Sequence, residues 1–329
     1  MRRRELIGGI AAVALQPLMV RAQQASGSAK KIGLLMSTRD DNVQGRQQLE
    51  SFRGALERSG WSERRNLSFV VRWSGGEPAL ANRYANELVA LSPDLIVAGS
   101  TIGLEAARSA TKDIPILFVA VSDPVAAGYV DSLAKPGGHI TGFSSYSLEA
   151  GGKWLEIIKE AVPSVTNVGV MIDPDYAAYM ARWRAMEKLG PPFGVSLSLV
   201  EIRSRADIEK AISDFARNPE RAMIVFSSAL TTANSGLIIE AAKRQRLPVI
   251  YPFASFVRQG GLMSYGTDTL DLFQKAASYA DRLLKGEKPS SLPVQEPTKF
   301  ELVINLKTAR ELALTVPPSL LARADEVIE

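Results

Sequence analysis

Apolar and polar positions follow two rhythms along the chain, alternation every second residue and recurrence every third or fourth, and these take turns. Lys31-Ile32-Gly33-Leu34-Leu35-Met36 reads as a short apolar strand, after which Leu49, Phe52 and Leu56 recur at helical spacing and Gly60 suits the helix end. Leu67 to Arg72 alternates like a strand with one wet side. Pro78 to Ala90 predicts a helix, with Pro78 in a first turn that tolerates it. The continuous run Asp94-Leu95-Ile96-Val97-Ala98 fits a strand buried on both faces, Ile102 to Ala110 a helix, and Ile114 to Val121 a second buried strand.

The series then begins again. A helix over Leu148 to Ala161 precedes the strand Asn167 to Ile172, a helix over Ala177 to Leu189 and a strand over Val195 to Val200. Ile208, Ile212 and Phe215 mark the next helix, followed by the strand Arg221 to Phe226, the helix Gly236 to Arg244 and the strand Pro248 to Ile250. Two such series predict an α/β protein with two parallel sheets, each covered by helices. Beyond them, Gly261 to Tyr265 reads as an edge strand, Leu270 to Leu284 as a helix, Phe300 to Ile304 as a strand and Leu306 to Leu314 as a helix. This tail is too small for a third lobe and is expected to complete the other two. Residues 31–145 with about 251–285 would form the first lobe, and 146–250 with about 286–329 the second. Crossings near 143–147, 250–254 and 285–300 would then form a hinge.

Length agrees with two lobes, since 329 residues exceed what one core usually organises. With no cysteine and a single histidine, His139, disulfides, thiol chemistry and a multi-histidine metal site are excluded. The net charge of +4 is concentrated in residues 1–22, where Arg2, Arg3, Arg4 and Arg21 face only Glu5. That segment has a basic start, an apolar stretch from Leu6 to Leu15 and small residues ending at Ala22, the form of an export signal. Arg3-Arg4 followed by Glu5-Leu6-Ile7 suits the twin-arginine route, and an ordinary Sec signal is the alternative. Residues 23–30 make a polar linker. No cysteine is available for a lipid anchor, so a free periplasmic protein is expected. The remaining near-neutral chain gives no electrostatic case for nucleic acid.

In an open parallel sheet, ligands sit beyond the carboxyl ends of the strands. The residues there are Ser37, Ser100-Thr101 and Ser122-Asp123 in the first series, and Asp173, Tyr176, Ser227, Tyr251 and Phe253 in the second. The start of the Thr101 helix can hold a carboxylate on free N–H groups, Asp123 or Asp173 can take an ammonium group, and Tyr176, Tyr251 and Phe253 can enclose an apolar body. The plainer readings are helix caps for Ser100 and Ser122, a turn for Asp123-Pro124 and core for Phe253. Neither G-x-G-x-x-G nor a Walker A pattern occurs, no Gly-x-Ser-x-Gly elbow is present, and the aspartates lack metal-ligand spacing. No cofactor, metal or catalytic residue is expected, and His139 reads as a turn or hinge residue.

Several stretches, in this order, resemble one family. They are MRRRELIGG with VRAQQ, SFRGALERSGWSERRNLSFVVRWSGG, SPDLIVAGST, IPILFVAVSDPVAAGYVDSLAKPGGHITGFS, and the long tail from Gly260 to Ile328. The chain is similar over nearly all its mature length to periplasmic substrate-binding proteins of ABC transporters of the tryptophan/tyrosine type. The resemblance implies two Rossmann-like lobes joined by three crossovers, a small amino acid, aromatic acid or other carboxylate held between them, and a membrane permease with its ATPase as partner. It implies a monomer that breaks no bond. Presentation of the solute to a receptor is the alternative use of the same fold, and an enzyme a more distant one. Two departures stand out: Gly60-Trp61-Ser62-Glu63-Arg64-Arg65-Asn66 lacks a glycine usual before the arginine and asparagine, and His139 replaces a common asparagine.

Overall fold

A computed structural model describes residues 29–145, 150–175 and 177–329. The expected export segment and nearly all of the linker lie outside the described residues. The first series forms β1 (Lys30–Met36), α1 (Val43–Arg58), β2 (Leu67–Trp73), α2 (Pro78–Ala90), β3 (Leu95–Ala98), α3 (Thr101–Ala110), β4 (Ile116–Val121) and β5 (Ile140–Ser144). The second forms α4 (Ala150–Ala161), β6 (Asn167–Ile172), α5 (Ala177–Glu187), β7 (Ser196–Glu201), α6 (Arg205–Phe215), β8 (Arg221–Val225), α7 (Ala229–Ala233) and α8 (Ser235–Arg244). It continues through β9 (Val249–Tyr251), α9 (Ala254–Arg258) and β10 (Met263–Thr267). The tail supplies α10 (Thr269–Leu284), β11 (Phe300–Asn305), α11 (Leu306–Glu311), α12 (Pro318–Leu321) and β12 (Glu326–Ile328).

The two sheets are wound alike. The first has the order β2-β1-β3-β4-β5, and the second the order β12-β11-β10-β9-β8-β6-β7. Within the second, β7-β6-β8-β9-β10 repeats the order of the first, and all pairings in both five-strand units are parallel. Only the β10–β11 pairing is antiparallel, and β12 runs parallel to β11. The winding direction reverses between β1 and β3 and again between β6 and β8, so each lobe has one switch point where a crevice opens.

Cores lie on both faces of each sheet, as continuous apolar strands require. One face of the first sheet packs Ile32, Leu34 and Val97 against Phe52 and Leu56 of α1 and Leu272, Phe273 and Ala276 of α10. The corresponding face of the second packs Val168, Val170 and Ile224 against Leu155 and Ile158 of α4, together with Leu302 and Ile304 of β11. Burying a side chain of this size contributes about 1.5–3 kcal/mol, so these layers fix the lobes and leave the strand ends free for other work.

The division of the tail differs from the sequence reading. Residues 251–268 lie with the second sheet, because β9 and β10 pair with each other and β10 pairs with β11. The expected edge strand is therefore an interior one. Gly266 permits this: a Cβ there would lie 1.7 Å from the Pro252 carbonyl oxygen. α10 lies with the first lobe, as expected, and so does the stretch 286–295, which was expected in the second. Trp61 Nε1 donates to Asp281 at 2.9 Å, Thr141 Oγ1 to the Leu292 carbonyl at 2.6 Å, and the Ser144 N–H to the Gln295 carbonyl at 2.8 Å. The chain thus passes between lobes three times: between β5 and α4, at Asp268, and between Gln295 and β11. The crossing expected at 250–254 is at Asp268. There the carboxylate accepts from the Leu270 and Asp271 N–H groups and from Lys299 Nζ at 2.7 Å, tying two crossings together.

Candidate functional site

Ser37 and Thr38 follow β1 at the first switch point, and Ser100 and Thr101 follow β3. Ser100 Oγ accepts the Gly103 N–H at 3.1 Å and so caps α3, leaving the Thr101 and Ile102 N–H groups without an intrahelical acceptor. Ser37 Oγ donates to the Gly99 carbonyl at 3.4 Å, linking the two strand ends. At the end of β4 the pairing with β5 slips between Val119 and Val121, and Ala120 takes a left-handed φ of 60°. This bulge brings Ser122 round until its hydroxyl is 3.4 Å from that of Ser145.

Across the gap stand the strand ends of the second lobe. Ser228 caps α7, its Oγ accepting the Thr231 N–H at 3.1 Å, and Ser227 precedes it. Together the two lobes enclose about 710 Å³, part of it continuous with solvent, lined by Ser37, Ser100, Thr101, Ser122, Ser227 and Phe253 among others. Six of the residues picked out at strand ends therefore meet in one space. A smaller space of about 320 Å³ adjoins it, sharing Ser122, Ser227 and Phe253 and adding Trp154, Arg182 and Phe300. Arg182 is buried with its guanidinium 4.6 Å from the centre of the Phe226 ring.

Three expected residues do not reach the cleft. Asp123 turns away, its Oδ1 accepting the Ala126 N–H at 3.1 Å as the cap of a turn. Asp173 closes its own loop, accepting the Asp175 N–H at 3.2 Å, and burial pushes its carboxyl above the ordinary carboxylate value. Tyr251 is core: it is 2% exposed and stacks on Phe256 with ring centres 5.2 Å apart, and burial pushes its phenol upward. Tyr176 lies outside the described residues.

The structure adds residues that the strand-end rule does not reach. Gln44 and Gln48, one turn apart on α1, both donate their Nε2 groups to Thr269 Oγ1, at 3.1 and 3.0 Å. All three line the cleft, as do Thr38, Thr232 and the buried Tyr179 of α5. Gly45 lets α1 come this close, since a Cβ there would lie 2.1 Å from Thr38 Oγ1. The glutamines follow a strand end at helical spacing i, i+4, in the row that continues into the buried Phe52 and Leu56, a signal present in the sequence. Thr269 was missed because it opens α10 after the Asp268 cap and is not read by a rule that looks directly after strands. Among the described residues no cluster of three His, Cys, Asp or Glu side chains is placed to hold a metal, and no helix is long and apolar enough to cross a membrane. His139 stands at the start of β5, the sheet end away from the cleft, with Nε2 buried without a hydrogen-bond partner.

Known proteins share this arrangement. The chain is 28% identical over 264 residues to a tyrosine-binding protein of Clostridioides difficile, covering 80% of this chain and 75% of the relative. It superposes with a TM-score of 0.85 and 25% identity on a Streptococcus pneumoniae ABC domain solved with L-Trp, over 92% of this chain and all of that one. On a ligand-free, open substrate-binding protein from Clostridium difficile the score is 0.68 at 26% identity, over 91% of this chain and 99% of that one. The family model described as ABC transporter substrate binding protein matches residues 29–328, from the first described strand to the last. With two like-wound lobes, three crossings and one polar cleft between them, the chain belongs to the ABC transporter substrate-binding protein family.

Proposed function

We propose that the protein captures a small solute between its lobes outside the cytoplasmic membrane and hands it to an ABC permease. The observation that carries this reading is the meeting of two switch points across one space lined by residues of both lobes. The contacts proposed for the solute are Ser37, Ser100, Thr101, Ser122, Ser227 and Phe253, together with Gln44, Gln48, Tyr179 and Thr269. The solute is an amino acid, aromatic acid or other small carboxylate, in keeping with the tyrosine- and tryptophan-binding relatives. Closure is a population shift: a molecule touching both lobes stabilises the closed arrangement, and the permease reads that shape. The chain acts as a monomer, breaks no bond and reaches the periplasm through the signal in residues 1–22. Its cleft offers hydroxyls without a base to activate them, since the one histidine lies at the far end of the first sheet.

A thermal-shift screen of the purified chain against amino acids, aromatic acids and short carboxylates tests the reading, with calorimetry on each hit. A true solute at a hundred times Kd adds about 2.7 kcal/mol of stability. Ser122→Ala removes one cleft hydroxyl and is expected to weaken that solute about tenfold, the worth of one hydrogen bond, with little change in the unliganded unfolding temperature. A screen without any stabilising solute, or a hit that Ser122→Ala leaves untouched, counts against the cleft.

A further inference from the structure

Three side chains of the cleft wall are bonded to one another in a way that fixes what they still offer and, given that this cleft is the solute site, what the solute must bring. Thr269 is 6% exposed, and its Oγ1 accepts from Nε2 of both Gln44 and Gln48, at 3.1 and 3.0 Å. A hydroxyl oxygen has two lone pairs and one proton. The two amides occupy the lone pairs, so Thr269 has only its proton left to give, and among the described residues nothing accepts it. The Oε1 atoms of Gln44 and Gln48 likewise receive no donor among the described residues. A second hydroxyl on the same side is in a similar state: Thr38 Oγ1, beside Gly45 of α1, is buried without a hydrogen-bond partner. All four of these polar residues line the main space.

A buried donor left unpaired is costly, so an occupant that displaces water from this wall has to supply the acceptor itself. Chemical groups differ in whether they can. An indole N–H and an ammonium group are donors only, and a phenyl or aliphatic edge is neither donor nor acceptor, so each leaves the Thr269 proton unpaired. A carboxylate takes that proton but sets a second group of acceptors against the glutamine oxygens. A hydroxyl answers both sides at once: its oxygen accepts from Thr269 and its own proton goes to a glutamine Oε1. We propose that the Gln44–Thr269–Gln48 wall reads a hydroxyl on the solute, so that the cleft selects alcohol- or phenol-bearing members of its solute class over counterparts that present hydrocarbon or an N–H there. A site built to bond a hydroxyl rejects the analogue without one, because its own polar groups are then left unpaired.

Matched compounds test this by calorimetry on the purified chain. One set is L-tyrosine, L-phenylalanine and L-tryptophan; another is 3-(4-hydroxyphenyl)propanoate, 3-phenylpropanoate and 3-indolepropionate; a third is L-threonine and L-valine. In at least one set the hydroxyl-bearing member is expected to bind more tightly than the others by about tenfold or more, the effect of keeping one buried hydrogen bond paired. Thr269→Val keeps the shape of the side chain and removes its hydroxyl; there the advantage is expected to shrink below about threefold, and Thr269→Ser to restore it. A merely structural part for Thr269 would weaken all members of a set alike, and a ratio unchanged in Thr269→Val overturns the inference. Parity of the hydrocarbon members in every set overturns it too, as does tryptophan or 3-indolepropionate as the tightest compound, which would require one glutamine amide turned about. Those results leave the solute-binding reading intact. Silence across all three sets also overturns the inference, and the broader screen above then decides separately whether the cleft binds any solute.

Discussion

At the scale of single residues, the cleft is made by side chains whose backbone has been bent to present them. Ala120 is the clearest case, a residue with a Cβ held at a left-handed φ of 60° inside a strand pairing. That conformation costs an L-residue about 1–2 kcal/mol, whereas a glycine there gives back about 0.4–1 kcal/mol through a freer unfolded chain. Relief outweighs the loss, so Ala120→Gly is expected to raise stability by about 0.5–1 kcal/mol, read as a higher urea midpoint at constant slope. A lower midpoint would mean that the strain lies elsewhere. The serines at strand ends were legible because the rule that finds them depends only on where a strand stops. Tyr251 shows its limit. One residue decides whether a side chain at a strand end faces the cleft or the layer below, and Tyr251 falls on the inner side against Phe256.

At the scale of elements, the sequence rhythm located α2 and β6 at their observed bounds, since both carry long unbroken patterns. It missed β5, a five-residue strand containing Gly142 that resembles a turn until it is seen beside β4. It also missed α7 and α9, five residues each and too short to show a helical period. The start of α10 is where an element and a crossing meet. Asp268 holds it by capping Leu270 and Asp271 and by pairing with Lys299. Burial works to raise its carboxyl, but Lys299 and the helix N–H groups outweigh it and hold the group below its ordinary value. Lys299 is 62% exposed, so solvent screens the ion pair and the cap dominates. Asp268→Ala is therefore expected to cost about 1 kcal/mol, and Asp268→Asn, which can still cap, clearly less. Equal losses in urea melts of the two variants would give the ion pair the larger share.

For the whole molecule, two lobes of alternating strands and helices could be read directly, but the ownership of the tail could not. Apolar runs say that a strand is buried and not which sheet buries it, so β10 was assigned to the first lobe although it pairs in the second sheet. His139 offers a probe of global stability because it is the chain's only histidine. Burial holds its imidazole below the ordinary value of 6.5. The unfolded chain therefore takes up a proton near that pH before the folded one does, and the folded state loses stability as the pH falls from 6.5 toward the lower folded value. Above 6.5 the contribution is fully present. Urea midpoints between pH 7.5 and about 5 are expected to fall more steeply in the parent than in His139→Asn, and parallel curves would exclude the histidine.

The repeated winding of β2-β1-β3-β4-β5 and β7-β6-β8-β9-β10 has one more consequence. Two copies of one plan set face to face supply no inherent head or tail, yet a solute whose two ends differ has both. Its direction must come from whatever spoils the likeness. The plainest blemish is α10, a helix that leaves the second copy to lie on the first and brings Thr269 to the two glutamines of α1. The detour of the tail is thus what gives an otherwise reversible grip its sense of front and back.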